Sequence, residues 1–182
     1  MGNTTPVLIG DRVTLRRIKH SDITDRQRIG RHSEFVRMCG GDSFGAAQFP
    51  PRRSWYGWYR KFRREPHRFI MEHQNHCIGA ATLKLSDDGK SARYSIGIFD
   101  PAQYSCGFGT ETTKLMLRYG FETLRLQRID LMVLEYNERG IRCYESCGFR
   151  QVQILRDNAI VDGQSCNDFI MEISRKEFFR QL

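Results

Sequence analysis

The sequence predicts an α/β (α+β) fold built around one sheet. Three observations point to this class. Short stretches with an apolar period of two alternate with stretches of helical period along the chain. Turn signals such as Asp87-Asp88-Gly89-Lys90 separate them. No internal repeat, low-complexity segment or long linker interrupts this order. The length of 182 residues fits one domain, so we expect residues 1–182 to form a single domain.

The amino-terminal part of the chain predicts a strand and a helix. Val13 and Leu15 are apolar at a spacing of two, which is the pattern of a half-buried strand. Ser21-Asp22 offers side-chain oxygens that can accept hydrogen bonds from the free amides of a first helical turn. A helix is therefore expected to run toward Arg31. Gly, Ser and Pro then accumulate over residues 39–51, which predicts a loop.

A second helix and a hairpin follow. Ser54 can cap a helix over residues 55–64, and Pro66 ends it because the residue before a proline is pushed out of the helical region. The next stretches are rich in β-forming residues on either side of a polar turn. The predicted hairpin consists of a strand over 69–73, a turn at Gln74-Asn75 and a strand over 77–85.

The second half of the chain predicts strands and helices in alternation. Leu117 and Phe121 recur at helical spacing and predict a helix over 108–124. Asn137 has a side-chain oxygen suited to cap a helix, and Gly148 suits the end of that helix. The remaining elements are a strand over 91–99, a strand over 128–134, and two closing strands near 152–155 and 169–173 joined by a loop at Asp162-Gly163.

The composition argues against several classes of protein. Hydrophobic residues make up 40% of the chain and charged residues 27%, as in globular domains, and no apolar run of about 18 residues predicts a membrane span. The first residues lack the apolar segment of a secretory signal, so we expect a cytoplasmic protein with six free cysteines. Cys143 and Cys147 have no second ligand pair at zinc spacing, so no metal is predicted.

The segment from Tyr104 to Thr110 lies between a predicted strand and a predicted helix. A helix start carries free amides and a positive dipole, and Gly107 and Gly109 leave room for a close approach. The loop could therefore cradle a phosphate or pyrophosphate. By itself it is equally typical of a plain strand–helix turn. It has no third glycine and no following Gly-Lys-Ser/Thr, so it matches neither a dinucleotide fingerprint nor a P-loop.

A second informative segment starts at Asn137. Tyr144 follows seven residues later, which returns it to nearly the same helix face. A phenol there could protonate a leaving thiolate, given the pKa values of the two groups. Taken alone, the pair is more typical of a helix cap and a core tyrosine.

Together, these two segments resemble the GNAT acetyltransferases. The sequences are Asp100-Pro-Ala-Gln-Tyr-Ser-Cys-Gly-Phe-Gly-Thr-Glu and Asn137-Glu-Arg-Gly-Ile-Arg-Cys-Tyr-Glu-Ser-Cys-Gly-Phe. The branch they resemble is that of the RimJ/RimL-like ribosomal-protein N-terminal acetyltransferases. The opening Val13-Thr-Leu-Arg-Arg-Ile and the closing Asp162-Gly-Gln…Phe-Ile-Met-Glu-Ile are similar to that branch as well.

The resemblance implies a mostly antiparallel mixed sheet with a V-shaped splay and helices on both faces. It implies that acetyl-CoA lies in the splay and that its acetyl group passes to a primary amine by direct attack in a ternary complex. The acceptor would be a protein N-terminus or a small molecule, and a homodimer is one assembly to consider.

The resemblance also assigns roles to residues of this chain. Tyr144 would be the general acid, and Asn137 would contact the cofactor. Backbone groups near Ile98 and Phe99 would pair with the pantetheine arm. The pyrophosphate would lie on the loop formed by Tyr104, Ser105, Cys106, Gly107, Phe108, Gly109 and Thr110.

Two positions depart from the family pattern. Tyr104 stands where the family often has Gln or Arg, although the same branch often has an aromatic residue there. Arg93 stands where many relatives carry the Glu that deprotonates the amine. The general base is therefore open, with Glu72 and His73 on the neighbouring strand as candidates. Cys106 at the predicted helix start could form an acetyl-cysteine, although a backbone role in the loop is favoured.

The segment Arg52–Arg68 concentrates positive charge, with seven Lys or Arg residues, one Glu and several aromatic residues. Such a mixture can bind single-stranded nucleic acid. It is also typical of an amphipathic helix with a buried aromatic stripe, which we favour, so nucleic acid is not an expected partner. Our hypothesis is that this helix borders the acceptor site, selects an acidic acceptor and disfavours polyamines. A non-catalytic CoA-binding sensor or adaptor is the other open alternative.

Overall fold

A computed structural model describes residues 6–40 and 52–181, with the side chains of residues 52–54 excepted. Within these ranges the strands form one mixed sheet in the order β1-β2-β3-β4-β5-β6-β8-β7, and β5–β6 is its parallel pair. The strands are β1 (Leu8–Ile9), β2 (Thr14–Arg16), β3 (Arg68–His73), β4 (His76–Leu85), β5 (Ser91–Ile98), β6 (Arg128–Leu134), β7 (Arg150–Val161) and β8 (Gln164–Ser174). The helices are α1 (Asp22–Ile29), α2 (Ser33–Met38), α3 (Arg52–Arg64), α4 (Phe108–Arg118), α5 (Glu138–Ser146) and α6 (Arg175–Arg180).

Helices cover both faces of the sheet. Along β3, Phe69 and Met71 belong to the larger apolar cluster, which also contains residues of α4 and α6. Ile70, between them, belongs to a second cluster with residues of α1 and α3. Successive side chains of a strand point to opposite faces, so the two clusters lie on opposite sides of the sheet. This arrangement is the α/β class that the alternation of periods predicts.

The two strands at the centre of the sheet separate after a short contact. β5 and β6 pair only through Ser91–Arg93 and Arg128–Asp130. Beyond Arg93, β5 keeps its antiparallel partner β4 as far as Ile98 but has no partner on its other edge within the described residues. The sheet therefore has a V-shaped gap at its centre.

Several predicted boundaries change in the structure. α1 ends at Ile29 rather than near Arg31, because Gly30 has a φ of 73°. Ser21 makes no capping hydrogen bond, and the carboxylate of Asp22 instead accepts one from the Lys19 amide at 2.6 Å. Helix α3 begins at Arg52 rather than at Trp55, so Ser54 lies inside its first turn and is not the predicted cap.

Other differences concern length. The helix predicted over 108–124 is an α-helix as far as Arg118 and a π-helix over Tyr119–Thr123. The closing strands form a hairpin of 12 and 11 residues around Asp162-Gly163. The sequence analysis did not predict β1, α2 or α6.

Helix α3 confirms the amphipathic interpretation of the basic segment. Trp55, Tyr59 and Phe62, spaced by four and three residues, are buried against Ile70 and Phe99. The basic side chains that follow Trp55 in this helix are exposed. These three rings are therefore not free to stack on nucleic acid bases.

None of the helices in the described ranges combines the length and the apolar character that a bilayer crossing requires.

A buried ion pair joins three elements on the α1 side of the sheet. Arg16 of β2 donates to both carboxylate oxygens of Asp22 in α1, at 2.8 and 2.9 Å. The same guanidinium contacts Glu72 of β3. Arg16 is 5% exposed and Asp22 is 1% exposed, so each charge depends on the other to offset its loss of water.

We predict that Asp22→Ala lowers the free energy of unfolding by about 3–5 kcal/mol, because it leaves Arg16 buried without its main counter-charge. Glu122→Ala, which removes the partner of Arg118 in an exposed pair, should cost less than about 1 kcal/mol. Urea denaturation of the wild type and both variants measures the difference. Equal destabilisation by the two substitutions would contradict the assignment.

Candidate active site

The V-shaped gap between β5 and β6 opens into a cleft of about 800 Å³. One wall consists of the end of β5, the loop over 104–110 and helix α5. The opposite wall consists of the end of α2 and residues of β6, β7 and β8. The predicted site residues that line this cleft are Ile98, Tyr104, Ser105, Gly107, Gly109, Thr110, Asn137 and Tyr144.

Three residues predicted to contact the cofactor do not line the cleft. The Phe99 ring packs in the smaller apolar cluster, and its amide donates to the Ile78 carbonyl at 2.8 Å. Because backbone groups alternate sides along a strand, the neighbouring Ile98 is the one whose amide points into the gap. Phe108 is buried in the larger cluster, so only its backbone belongs to the loop. Cys106 is exposed, and its carbonyl accepts a hydrogen bond from Arg12 at 2.7 Å.

The two candidate bases on β3 also lie outside the residues that line the cleft. Glu72 is held in the ion-pair network by Arg16 and lies 3.7 Å from Lys19. His73 Nδ1 is 2.8 Å from the Arg12 carbonyl, and its ring lies against Phe108. Both groups have structural partners here, and neither is placed near Tyr144.

The loop over 104–110 has the backbone geometry of an anion-binding turn. Ser105 and Gly107 have φ angles of 59° and 82°, and Gly107 is the residue that caps helix α4. Alternation of left- and right-handed residues turns successive amides toward one side, next to the free amides of the helix start. A Cβ built on Gly107 would lie 2.6 Å from Arg12 Nη2. The loop therefore requires glycine at this position for both its conformation and its contacts.

An ion pair braces this loop from outside. Arg12 donates from its side chain to Glu111 at 3.1 Å and to the Cys106 carbonyl. Burial alone would raise the pKa of Glu111, but hydrogen bonds from the amides of Arg12 and Val13 and from the Arg12 side chain lower it. Glu111 therefore stays ionised and fixes the amino-terminal strand region to the start of α4.

The start of α5 adds polar and positive groups to the same wall. The side-chain oxygen of Asn137 accepts a hydrogen bond from the Gly140 amide at 3.0 Å, as the capping prediction requires. Arg139 and Arg142 line the cleft. The Arg139 guanidinium lies 3.9 Å from the centre of the Tyr104 ring, and burial raises the pKa of Tyr104 to about 12. Tyr104 is therefore a neutral, stacked wall residue.

Tyr144 lies on the side of α5 that faces the cleft. Its ring packs edge-on against Tyr94 and Phe149, with ring centres 6.4 and 6.0 Å apart. Its hydroxyl makes no hydrogen bond to the described part of the chain. Burial raises the pKa of Tyr144 well above that of a free tyrosine. The side chain is therefore a neutral proton donor with a free hydroxyl.

Cys143 is a cleft residue that the sequence analysis missed. Its Sγ lies 3.5 Å from the Thr110 hydroxyl oxygen at the start of α4. A hydrogen bond from Cys147, opposed by burial and assisted by Thr110, lowers the pKa of the Cys143 thiol. No local sequence pattern identifies it, because its contact is with Thr110 on another helix.

Arg93 does not occupy the position facing the cleft on β5. Arg93 pairs with Asp130 where β5 and β6 are still hydrogen-bonded, at the closed end of the V. Ser95 is on the same face of the strand two residues later, and it lines the cleft. On this face of β5 the side chain that lines the cleft is therefore Ser95, which cannot act as the expected carboxylate base.

The wall opposite the loop contains a carboxylate that the sequence analysis also missed. Asp168 of β8 is 4% exposed, lines the cleft and accepts a hydrogen bond from Asn158 Nδ2 at 2.7 Å. No sequence pattern identifies it, because a single Asp in a strand is typical of a solvent-facing position.

None of the described residues of α3 lines the cleft. This gives no support to the hypothesis that the basic helix borders the acceptor site.

Comparison with known proteins agrees with this geometry. Residues 12–150 match the family described as Acetyltransferase (GNAT) domain. The chain belongs to the GNAT acetyltransferase family. Its mixed sheet, split between β5 and β6 and flanked by helices, is the GNAT fold.

Two relatives with similar sequences are named as N-acetyltransferases. The SPbeta prophage-derived uncharacterized N-acetyltransferase YokL of Bacillus subtilis is 25% identical over 175 residues, which cover 93% of each chain. The spermidine N(1)-acetyltransferase of Escherichia coli is 28% identical over 115 residues, or 63% of this chain and 61% of that protein. The family and these relatives identify an acetyl-CoA-dependent N-acetyltransferase.

A solved structure supports the same fold. The spermidine N-acetyltransferase of Vibrio cholerae, in complex with CoA and spermine, has a TM-score of 0.78 and 22% identity. The match covers 93% of this chain and 99% of that one. The cofactor of the family, acetyl-CoA, fits the residues of this cleft, which offers free amides at a helix start, a glycine at left-handed φ and two nearby arginines.

We predict that Gly107→Trp weakens acetyl-CoA binding by at least about 100-fold, since the indole would fill the loop and displace Arg12. Gly89→Trp is the matched control, because Gly89 also has positive φ, at 65°, but meets no atom within 4 Å and lies in a distant turn. Calorimetric titration measures both. Binding that survives in Gly107→Trp would place the cofactor elsewhere.

Proposed function

We propose that this acetyltransferase moves the acetyl group of acetyl-CoA to a small primary amine by direct attack within a ternary complex. The observation that carries the proposal is one continuous cleft. It is lined by the helix start at Gly107–Thr110, by Tyr144, and by an otherwise mostly apolar wall that contains Asp168. A cofactor site and an acceptor site in one cleft allow both substrates to be present together.

The cofactor supplies an activated acetyl thioester, and the protein residues bind and orient it. The amides at the start of α4 would hold the pyrophosphate, as helix starts bind anions. Arg139 and Arg142 would add positive charge beside it. The backbone of β5 at Ile98, which lacks a strand partner on that edge, would pair with the pantetheine arm.

Tyr144 would act as the general acid. Its hydroxyl has no hydrogen-bond partner among the described residues, and its raised pKa keeps it protonated at neutral and alkaline pH. Negative charge develops on the sulfur as the thioester carbon–sulfur bond breaks, and the phenol would donate its proton to that sulfur. The phenolate, which is the stronger base of the two, would recover a proton from the nitrogen that has attacked the acetyl carbon. Glu72 is a weak candidate for the base, since Arg16 occupies its carboxylate.

We further propose that the acceptor is a small molecule rather than a protein N-terminus. The part of the cleft on the α2 side is bounded by Phe35, Met38, Met132 and Ile160, which suits a compact apolar group. The relative named as a spermidine acetyltransferase also acts on a small amine. The RimJ/RimL-like branch stays a hypothesis that rests on the sequence motifs. The single sheet supports one catalytic domain over the chain.

We would test the proposal by measuring initial rates of acetylation with acetyl-CoA and a panel of amines. The panel contains benzylamine, phenethylamine, hexylamine, spermidine and a short peptide. Direct attack predicts intersecting double-reciprocal lines, with Cys143→Ser keeping kcat within about threefold, because no acetyl-enzyme forms. Parallel lines together with loss of activity in Cys143→Ser would instead assign a covalent route through this thiol. Tight acetyl-CoA binding without turnover on any amine would favour a non-catalytic sensor.

We predict that Tyr144→Phe lowers kcat by about 100-fold or more while acetyl-CoA binding is unchanged, because only the proton donor is removed. The raised pKa of Tyr144 predicts no loss of wild-type kcat from this group between about pH 8 and about pH 10, since the neutral phenol persists there. A pH profile of kcat for both proteins checks this. A fall centred near pH 9 in the wild type that is absent in Tyr144→Phe would refute it.

A further inference from the structure

Asp168 is a buried acidic residue to which no described residue supplies a counter-charge. It is the one carboxylate among the described residues that line the cleft. Its Oδ2 accepts a hydrogen bond from Asn158, and no Lys, Arg or His in the described ranges forms an ion pair with it. Asp22, which is similarly buried, has both of its oxygens bound by Arg16. Burying a carboxylate with a single neutral donor is costly, so this arrangement needs a cause beyond stability.

The strand register places Asp168 on the α2 side of the cleft. Asp168 pairs with Leu134 of β6, and Leu134 alternates with Val133, which belongs to the cluster on the opposite face. Ser95 likewise alternates with Tyr94 of that cluster. Asp168 and Ser95 therefore face the same side of the sheet across the gap between β5 and β6.

A β-bulge holds the partner of Asp168 in position. In β7, Leu155 pairs with Asp168 and Ala159 pairs with Cys166, so three residues of β7 oppose one residue of β8. Asp157, in the middle of the bulge, has a φ of 49°. Its amide donates to Asn167 Oδ1 at 2.9 Å, and its carboxylate accepts from Ser165 at 2.6 Å. Such bulges reorient a side chain, and here the reoriented side chain is Asn158, which points at Asp168.

The large side chains on the rest of this wall are apolar, and Ser95 and Asn158 are its neutral polar residues. Phe35 and Met38 come from α2, Met132 from β6 and Ile160 from β7. Together with Asp168 they provide one negative charge surrounded by hydrocarbon. This is the complement of a molecule with one ammonium group on an apolar body. A polyamine would place its second cation beside described side chains that offer it no counter-charge.

We propose that Asp168, oriented by Asn158, is the binding site for the ammonium group of the acceptor, and that the acceptor is a primary monoamine with an apolar body. This inference rests on the proposed function, because it names the acceptor class of the same cleft. Asp168 accepts hydrogen bonds from the ammonium group and fixes it on the α2 side of the gap. The ammonium group loses one proton to water before its nitrogen attacks the acetyl carbon. The ordering of Asn158 by the bulge keeps the second carboxylate oxygen available.

Asp168→Asn tests the proposal, since it removes the charge and keeps the shape. We expect KM for the best monoamine among benzylamine, phenethylamine and hexylamine to rise at least about tenfold, as for the loss of a hydrogen bond to a charged group. Acetyl-CoA binding should stay unchanged, which shows that the variant is folded. Glu172→Gln is the matched control, because Glu172 lies on the same strand, is partly exposed and is paired with Arg128.

A binding measurement separates a charge effect from a structural one. Phenethylamine and phenethyl alcohol are titrated into the CoA-saturated wild type and Asp168→Asn proteins. Only the amine should lose affinity in the variant, by the same factor as the rise in KM. Equal loss for the amine and the alcohol, or an unchanged KM, would overturn the role of Asp168. A lower KM for spermidine than for every monoamine would overturn the acceptor class. Failure of the wild type to acetylate any amine would instead count against the proposed function.

Discussion

The early separation of β5 from β6 is the constraint on which the rest of the site depends. Two parallel strands that stay paired would bury their facing backbone groups in hydrogen bonds to each other. Here the pairing stops at Arg93, so β5 continues with its outer edge open as far as Ile98. An open edge in the centre of a sheet leaves polar groups that need partners. In the proposed function, the pantetheine arm of the cofactor would pair with them.

Different helices border the gap on the two faces of the sheet. Helices α4 and α5 pack on the larger cluster. Their starts bring the glycine loop and Asn137 to one side of the gap, and the last turn of α5 brings Tyr144 there. The end of α2 closes the other side, where Phe35 packs against Phe99 and lies so near Gly97 that a Cβ there would be 2.9 Å from the ring. The gap thus connects the two faces of the sheet, which are the proposed cofactor side and the proposed acceptor side.

The buried carboxylates near the cleft differ in whether they have a counter-charge. Asp22 is neutralised by Arg16, and Glu111 is held ionised by Arg12 and by backbone amides, so both carboxylates stabilise the frame around the cleft. Asp168 is the exception, because its partner is a neutral amide and its surroundings are apolar. The excess of basic side chains lies elsewhere, on the exposed face of α3, and does not enter the described walls of the cleft.

Local sequence patterns determined the class of fold, the glycine loop, the Asn137 cap, the end of α5 at Gly148 and the buried stripe of α3. Each of these depends on contacts within a few residues, namely period, capping oxygens and the φ angles open to glycine. Only the tertiary structure decided which face each strand residue presents to the gap. It placed Arg93 at the closed end of the V and Ser95 in the cleft. Phe99 and Glu72 are not among the residues that line the cleft. Cys143 contacts Thr110, and Asp168 contacts Asn158. The physical reason is that strand register and a β-bulge fix these contacts between residues distant in sequence, and no local pattern specifies either one.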